Sequence, residues 1–342
     1  MQSADAAHCE RTVREHARTF ALASRFLPAP KRRATFALYA FCRAADDIVD
    51  AAHDGARDRR ESTVVARRLA DFGRQLDEAL AGRPTTPLFR ELEWAVREYD
   101  VPDAVLRELL DGVARDLRPT RYESWPELAR YCEGVASSVG EMCTHVFGVT
   151  GDAGARRAAV RYARAMGVAM QMTNVLRDVG EDARAGRCYL PADDLARFGL
   201  DAETVMAAAA SAAASSESPR ASRLARDERW RTLMTFEIER ARAIYATAVP
   251  GIALLAPDTR RCAAACAWGY AAILGAIERN GYDTLAHRAR VGGWSRVGVL
   301  WDAWRSRGIT LPAADAALTA PALQWDAAGG ANAPRTELMK WA

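Results

Sequence analysis

The stretch RATFALYAFCRAADDIVD, residues 33 to 50, decides the fold of this chain. It contains no Gly or Pro, and its apolar residues recur at helical spacing, so we predict one continuous helix. One face of this helix carries, at steps of three or four residues, Tyr39, Arg43, Asp46 and Asp50. An aromatic ring, a cation and two carboxylates are an unusual combination for a plain solvated surface.

A second polar stripe lies in GVAMQMTNVLRDVGED, residues 167 to 182. Its members, again three or four residues apart, are Gln171, Asn174, Asp178 and Asp182. The other faces of this predicted helix are apolar, and a buried carboxylate is unfavourable unless it is paired or binds a metal. The second stripe therefore needs a partner.

The two Asp-x-x-x-Asp motifs can serve as partners in one site. Carboxylates four residues apart project to the same side of a helix, and two facing pairs form an oxygen-only site that suits Mg²⁺, with Mn²⁺ as the alternative. Such a site helps a diphosphate to leave, and the aromatic end of the first stripe suits an apolar chain and a carbocation. Either motif alone would equally fit a solvated acidic helix end. A calcium-binding loop is excluded because the required glycine and spacing are missing.

Composition narrows the class of protein. The chain has 342 residues, half of them hydrophobic, and a net charge of +3, which lacks the basic excess of a nucleic-acid binder. Its seven cysteines form no Cys-x-x-Cys pair, which indicates reduced thiols and a cytoplasmic location. The charged stretch from Asp5 to Arg18 argues against a signal peptide. The apolar stretch from Cys262 to Ile277 is too short to span a membrane, so we expect a buried helix, with peripheral membrane contact left open.

Helical patterns dominate the chain, separated by Gly and Pro residues. The predicted helices cover roughly 5–24, 33–51, 57–81, 86–99, 103–117, 125–149, 154–182, 219–248 and 258–280. The low-complexity segment 207–218 is either a helix end or a flexible connection. We predict an all-α protein with one large helical domain, residues 1–310, and a loose Ala/Pro/Gly-rich tail, residues 311–342.

These motifs resemble the squalene/phytoene synthase family, and within it the bacterial phytoene synthases. The matching segments, in order, are YAFCRAADDIVD at 39–50, YCEGVASSVGEM at 131–142, NVLRDVGED at 174–182, GRCYLP at 186–191 and YAAILGAIERNGYDTLAHRA at 270–289. The resemblance covers roughly residues 8 to 305. It implies the all-α isoprenoid-synthase fold with a central substrate cavity.

The resemblance also implies roles for individual residues. The metal ligands would be Asp46, Asp50, Asn174, Asp178 and Asp182. Substrate-binding residues would be His16, Arg18, Thr19, Phe20, Ser24, Tyr39, Arg43, Val135, Gly140, Gln171, Asn174, Arg177 and Arg288. Tyr189 and Tyr270 would contact diphosphate and relay a proton to it, alongside the catalytic carboxylates. Taken singly, His16 and Arg18 would be ordinary surface residues and Tyr270 a core residue.

The implied reaction joins two prenyl diphosphates head to head through a cyclopropylcarbinyl diphosphate. In relatives that accept fifteen-carbon donors the position of Ser24 tends to be bulky, so a serine there favours two geranylgeranyl diphosphates, with phytoene as the product. No nicotinamide cofactor is expected, since no Gly-x-Gly-x-x-Gly motif follows a strand.

Several alternatives stay open at this point. The enzyme could make dehydrosqualene, squalene or presqualene diphosphate from farnesyl diphosphate, or prenylate another acceptor. It could also be a non-catalytic assembly factor, or a helical scaffold with acidic surface stripes. Glu133, Ser137 and Glu141 depart from the residues usual in phytoene synthases, which bears on the product more than on the chemistry. The small residues around Gly140 could admit a substrate chain or close helix packing.

Overall fold

The protein is built from α-helices joined by short connections. The structure, a computed structural model, describes residues 4–50, 59–117, 121–214 and 223–292. The helices are α1 (Ala4–His16), α2 (Arg18–Ala23), α3 (Ala29–Asp50), α4 (Arg59–Leu80), α5 (Pro87–Tyr99), α6 (Asp103–Ala114), α7 (Trp125–Cys132), α8 (Ser138–Phe147), α9 (Ala153–Arg177), α10 (Val179–Arg184), α11 (Ala192–Arg197), α12 (Ala202–Ala214), α13 (Glu228–Ala248) and α14 (Arg260–Arg279). Extended pairing within these ranges is limited to two isolated bridges, and the all-α prediction is confirmed.

Local chemistry fixes several helix ends. Thr86 precedes α5, and its side chain accepts from the Phe89 amide, while Pro87 fills the first helical position, where no amide donor is needed. Asp152 caps α9 in the same way through the Ala155 amide. Gly148, with φ of 77°, ends α8 in the left-handed region.

Within the described residues, two large hydrophobic cores lie side by side, and a small third cluster consists of Ala158, Ala159, Tyr162 and Leu254. The first gathers buried residues of α1, α3, α4, α5, α6 and α8, and the second those of α7, α9, α12 and α13. α14 belongs to both, because its first half, around Cys262, lies in the first core and Ile277 lies in the second. Val135 and Met166 are partly exposed and pack against both cores, so the boundary between the cores is not closed there.

Four predicted helices are interrupted. The predicted helix 219–248 becomes α13 only from Glu228, because Asp227 is extended and its side chain caps α13 through the Arg229 amide. The predicted helix 5–24 breaks at Ala17, which separates α1 from α2, although no Gly or Pro stands there. The predicted helix 125–149 contains a five-residue π-helical turn, Glu133–Ser137. The predicted helix 154–182 breaks at Asp178, whose φ of −103° and ψ of 11° lie outside the helical range.

The π-helical turn is surrounded by backbone contacts that exclude side chains. A Cβ on Gly134 would lie 3.1 Å from Cα of Gly112 on α6. A Cβ on Gly140 would lie 2.4 Å from the carbonyl oxygen of Ala163 on α9. The kink and the close packing therefore occur together, and helix packing accounts for the glycine at position 140.

Glu141, one of the departures from the family pattern, has a structural explanation. Arg164 on α9 donates to Glu141 at 2.9 Å and to both carboxylate oxygens of Glu108 on α6, at 3.1 and 2.6 Å. The three charges join α6, α8 and α9. The polar residue at 141 thus serves a partly buried ion-pair network.

The chain from 202 to 214 forms α12, whereas the sequence left residues 207–218 open between a helix end and a connection. Alanine favours helix, and Val205 and Ala209 are buried on one face. Residues 215–218 and the whole predicted tail, 311–342, lie outside the described residues, as does the predicted domain boundary at 310. Within the described ranges, no helix combines the length and the apolarity that a membrane crossing requires.

Candidate active site

The first acidic motif lies at the C-terminal end of α3. Tyr39 stacks on Phe20 of α2 with ring centroids 5.7 Å apart, which joins the aromatic end of the stripe to the second helix. One turn on, Arg43 makes an ion pair with Asp47. Asp46 remains exposed, yet desolvation by the surrounding protein, reinforced by Asp50, raises its pKa to about 7. A carboxylate that water reaches but protein crowds lies in a recess rather than on an open surface.

The second acidic motif is held by arginines. Arg288 contacts both oxygens of Asp178, at 2.9 and 3.1 Å, and Arg177 pairs with the same carboxylate. One turn further, Asp182 is partly buried, and its burial raises its pKa to about 7 against the opposing effect of Arg187. The kink at Asp178 leaves the turn intact, because the Asp182 amide donates to the Asp178 carbonyl at 2.9 Å.

Arg187 connects the two motifs. Its guanidinium lies 3.3 Å from an oxygen of Asp182 and 3.7 Å from an oxygen of Asp50. Asp50 is on α3 and Asp182 is on α10, so this contact brings the two Asp-x-x-x-Asp motifs into one site.

A third carboxylate, Asp116, stands beside both motifs. The hydroxyl groups of Tyr131 and Tyr189 donate to its two oxygens at 2.8 and 2.9 Å. Its charge also contributes to the raised pKa of Asp46 and of Asp182. The rings of Tyr131, Tyr189 and Tyr122 stack on one another at 5.3 to 6.1 Å. Burial raises the pKa of both donor tyrosines, so they carry their protons at neutral pH.

The segment 280–288 packs against α10 through buried residues. The Gly180 amide donates to the Thr284 carbonyl at 3.0 Å, and a Cβ on Gly180 would lie only 2.3 Å from the Leu285 carbonyl oxygen. Trp230, fully buried, donates from its indole to the Tyr282 carbonyl at 2.9 Å. The same segment ends in Arg288, so it positions a cation and the second acidic motif together.

A buried ion cluster lies next to the loop that carries Tyr189. Arg240 on α13 donates to Asp194 at 2.8 Å and to Glu237 at 2.6 Å, and its guanidinium lies 4.8 Å from the ring centroid of Trp125. Two carboxyl groups share one guanidinium, and burial raises the pKa of Glu237 to about 8, so Glu237 retains its proton at neutral pH. Asp194 lies on α11, directly after the loop that carries Tyr189, and the cluster therefore fixes that loop.

An apolar wall adjoins the acidic site. Phe20, Tyr39, Cys42, Cys143 and Cys266 are partly exposed, although they pack against the first core. Desolvation raises the pKa of the Cys143 thiol to about 12, and that of the Cys42 thiol well above its usual value. These five side chains therefore form a partly buried apolar surface next to the first acidic motif.

Comparison with known proteins identifies the family. Residues 13–295 match the family model described as Squalene/phytoene synthase. The chain belongs to this family. It is similar to phytoene synthase of Arthrospira platensis, 35% identical over 297 residues that cover 84% of this chain and 89% of the relative. It is also similar to chloroplastic phytoene synthase 2 of Oryza sativa subsp. japonica, 34% identical over 84% of this chain and 67% of the relative.

A solved structure agrees with the fold. A dehydrosqualene synthase crystallised with a ligand superposes with a TM-score of 0.74 at 27% identity, over 88% of this chain and 95% of that one. The resemblance and the isoprenoid-synthase fold predicted from the motifs are thereby confirmed. As a squalene/phytoene synthase family member, the chain is an enzyme of the prenyltransferase type.

The predicted metal ligands fit a divalent cation in donor chemistry. The Asn174 side chain donates to Gln171 at 3.1 Å, while its buried Oδ1 has no hydrogen-bond partner among the described residues. An orphaned acceptor beside carboxylates with raised pKa values suits a cation, which would be held by Asp46, Asp50, Asn174, Asp178 and Asp182. Within the described ranges, however, no three acidic, His or Cys side chains converge closely enough to hold a metal. Arginines lie against the carboxylates instead.

The remaining predicted residues lie on several elements, and their roles stay predictions. Tyr270 on α14 lies near Tyr39 of α3 and Arg177 of α9. His16 is exposed at the end of α1, and Arg18 and Thr19 begin α2. Val135 is partly exposed in the π-helical turn. Ser24 is fully buried in a 3₁₀ turn, where its hydroxyl donates to the Ala21 carbonyl at 2.9 Å.

Sequence reasoning missed Asp116, Tyr131 and Arg187. Tyr131 and Arg187 lie inside the quoted motifs, but neither belongs to a polar stripe with residues three or four positions apart, so the sequence pattern did not single them out. Asp116 belongs to a short 3₁₀ turn, and its tyrosine partners are 15 and 73 residues away. A carboxylate held by such remote residues leaves no periodic signal in one sequence.

Proposed function

We propose that the chain is a Mg²⁺-dependent phytoene synthase that joins two geranylgeranyl diphosphates head to head. The observation that carries this proposal is the bridging of the two acidic motifs by Arg187, next to the apolar wall that begins at Tyr39. Such a site offers ligands for diphosphate at one end and space for a hydrocarbon chain at the other. Identity of 35% to a phytoene synthase over most of the chain supports the choice within the family.

The proposed reaction balances without a redox cofactor. The C–O bond of one substrate breaks, its C1 bonds to the central double bond of the other, and a proton leaves to close a cyclopropane ring. The C–O bond of this cyclopropylcarbinyl diphosphate then breaks, the ring rearranges, and a second proton leaves to give a conjugated triene. Two diphosphates and two protons are released, so no nicotinamide is needed.

Each part of the site has a task in this scheme. Arg43, Arg177 and Arg288 bind diphosphate oxygens, for which guanidinium groups are well shaped. The bound cation, Mg²⁺ or Mn²⁺, supplies neutralisation of the charge on the leaving diphosphate. Tyr39 and Phe20 face the cationic carbon with aromatic rings and exclude water from it.

We propose that Tyr189 and Tyr131 relay the protons. Each hydroxyl donates its own proton to Asp116, so its oxygen can accept a proton from the cation while Asp116 takes the one released. Tyr270 and the departing diphosphate are the alternative relay. Asp116→Asn should lower kcat about 100-fold with unchanged Mn²⁺-dependent diphosphate binding, whereas an unchanged kcat would exclude Asp116 from the relay.

The deciding experiment uses purified protein, Mg²⁺ and geranylgeranyl diphosphate without nicotinamide. The expected product is a forty-carbon triene identified by mass spectrometry, and Asp46→Asn and Asp178→Asn should each abolish it. Farnesyl diphosphate in a parallel reaction tests the thirty-carbon alternatives. Product from farnesyl diphosphate alone would contradict the proposed chain length, and turnover of neither would contradict the proposed acceptor.

We also propose peripheral membrane contact of a cytoplasmic protein. A forty-carbon hydrocarbon is strongly disfavoured in water, so its release into a bilayer is favourable. Phosphatidylglycerol vesicles should raise multiple-turnover rates while leaving the first turnover unchanged. Equal rates with and without vesicles would contradict this part of the proposal.

A further inference from the structure

The guanidinium of Arg187 is the central cation of the site. It interacts with Asp182, Asp50, Asp116 and Tyr189, and the three carboxylates keep its own pKa raised in spite of burial. Within the described ranges it is the only residue that forms ion pairs with both acidic motifs. Its Nε is buried without a hydrogen-bond partner among these residues, so its donors are not all used.

The backbone holds Arg187 in this place. Gly186, with φ of 79°, takes the left-handed position that ends α10. The Arg187 amide then donates to the Asp182 carbonyl at 2.8 Å, and the Gly186 amide to the Ala183 carbonyl at 3.0 Å. This is a Schellman ending, in which the residue after the glycine folds back onto the last turn. The side chain of Arg187 therefore returns to the carboxylate of the residue whose carbonyl its amide binds.

We propose that Arg187 is the built-in counterion of the two acidic motifs and competes with the divalent cation for Asp50 and Asp182. The inference rests on the proposed function, since it assumes that these carboxylates bind metal. A guanidinium and a divalent cation cannot both lie within contact distance of the same carboxylate oxygens without strong repulsion. Arg187 thus keeps the motifs together without metal and weakens the binding of a cation that arrives alone.

This role couples the cation to the substrate. Diphosphate is another anion that the Arg187 guanidinium can bind. The free energy needed to move the guanidinium away from the carboxylates is therefore lower when diphosphate is present. We expect the cation and diphosphate to bind cooperatively in the native protein. Removal of the Arg187 charge should reduce that cooperativity.

The test measures Mn²⁺ binding by the electron paramagnetic resonance signal of the free ion. Without diphosphate, Arg187→Gln should bind Mn²⁺ about tenfold more tightly than the native protein, because one adjacent positive charge is gone. Arg184→Gln is the matched control, since Arg184 is exposed, follows Asp182 by two residues and contacts the Leu285 carbonyl rather than a carboxylate. It should change the affinity less than twofold. Inorganic diphosphate should tighten Mn²⁺ binding more in the native protein than in Arg187→Gln.

A second variant keeps the test decisive if Arg187→Gln does not fold. Arg187→Lys retains the charge but loses the planar guanidinium that reaches two carboxylates. Its Mn²⁺ affinity should therefore lie between that of the native protein and that of Arg187→Gln. If neither variant binds Mn²⁺ more tightly than the native protein, while diphosphate still promotes binding in all of them, the counterion role is overturned and the proposed function stands. If no protein binds Mn²⁺ under either condition, both are overturned.

Discussion

At the scale of single residues, Ser24 links the proposed substrate to the packing of the molecule. Its side chain is fully buried in the 3₁₀ turn Ser24–Phe26, which packs against α14, so it does not itself form an open wall. A larger side chain there must displace neighbours, among them Phe20 one turn earlier, which borders the apolar wall. The size of residue 24 can therefore act on the substrate space through Phe20.

We expect Ser24→Phe to shift the products from forty toward thirty carbons and to lower stability by about 1–3 kcal/mol through overpacking. Mass spectrometry of products from paired fifteen- and twenty-carbon diphosphates, together with thermal melting, checks both effects. Ser24→Ala removes the hydroxyl without adding volume and should keep the forty-carbon product. A native product pattern from Ser24→Phe would mean that position 24 does not set chain length.

The buried Glu237 should make the free energy of unfolding depend on pH, and a single substitution can measure its contribution. Its pKa is about 8 in the folded protein against an ordinary value of 4.5, because of burial and the nearby Asp194. Between these values the folded protein keeps a proton that the unfolded chain loses, so the free energy of unfolding falls as the pH rises from about 4.5 to about 8.

Glu237→Gln should flatten this part of the pH profile, because glutamine does not titrate. Urea denaturation at a series of pH values from 5 to 8 measures the slope. Glu239→Gln is the matched control, since Glu239 lies on the same helix with an exposed side chain. Equal slopes in the two variants would show that Glu237 is ionised in the folded protein.

At the scale of elements, the contact between α10 and the segment 280–288 determines where the second acidic motif lies. Gly180→Ala would bring a methyl group to 2.3 Å from the Leu285 carbonyl oxygen, so α10 and the segment must separate. Both Asp182 and Arg288 would move with them. We expect kcat/KM to fall at least about tenfold, with a raised Mn²⁺ dissociation constant and retained helicity.

Gly73→Ala provides the control for that change. Gly73 lies inside α4, where a Cβ would meet only Leu110 Cδ1 at 3.8 Å, an ordinary contact. It should leave activity unchanged and slightly raise the melting temperature. If Gly180→Ala also leaves Mn²⁺ affinity and kcat/KM unchanged, the segment does not position the motif.

The sequence predicts elements best where local chemistry alone decides them. α3 and α5 were predicted within a few residues, because periodic apolar faces and Pro or Thr signals mark them. The breaks at Ala17 and Asp178 were missed, since no Gly or Pro stands there to mark them. The same limit applies to the site, in which Asp46 and Asp178 follow a helical period but Asp116 and Arg187 depend on partners far along the chain.

At the scale of the whole molecule, the two acidic motifs belong to different halves. Asp46 lies on α3, whose buried face belongs to the first core, and Asp178 lies between α9 and α10 beside the second core. A ligand that binds both motifs would therefore hold the two cores against each other. Its effect on stability should be larger than that of a ligand bound by either half alone.

Mg²⁺ with geranylgeranyl S-thiolodiphosphate, a slowly ionising analogue, should raise the melting temperature by several degrees. At a hundredfold excess over Kd, binding adds about 2.7 kcal/mol to stability. Differential scanning fluorimetry measures the shift, and EDTA should abolish it. Asp46→Asn and Asp178→Asn should each lose most of it, and a full shift in either variant would contradict joint binding by both motifs.

The half-exposed thiols along the apolar wall have a practical consequence. Cys42, Cys143 and Cys266 are partly exposed on the apolar wall, whereas the other four cysteines are buried in the cores. The raised pKa values of the Cys42 and Cys143 thiols slow their reaction with water-borne alkylating agents, so a lipophilic maleimide that binds along the apolar wall should label these thiols first. A polarity-sensitive fluorophore attached to these thiols would then report the binding of a hydrocarbon chain through a change in its emission wavelength.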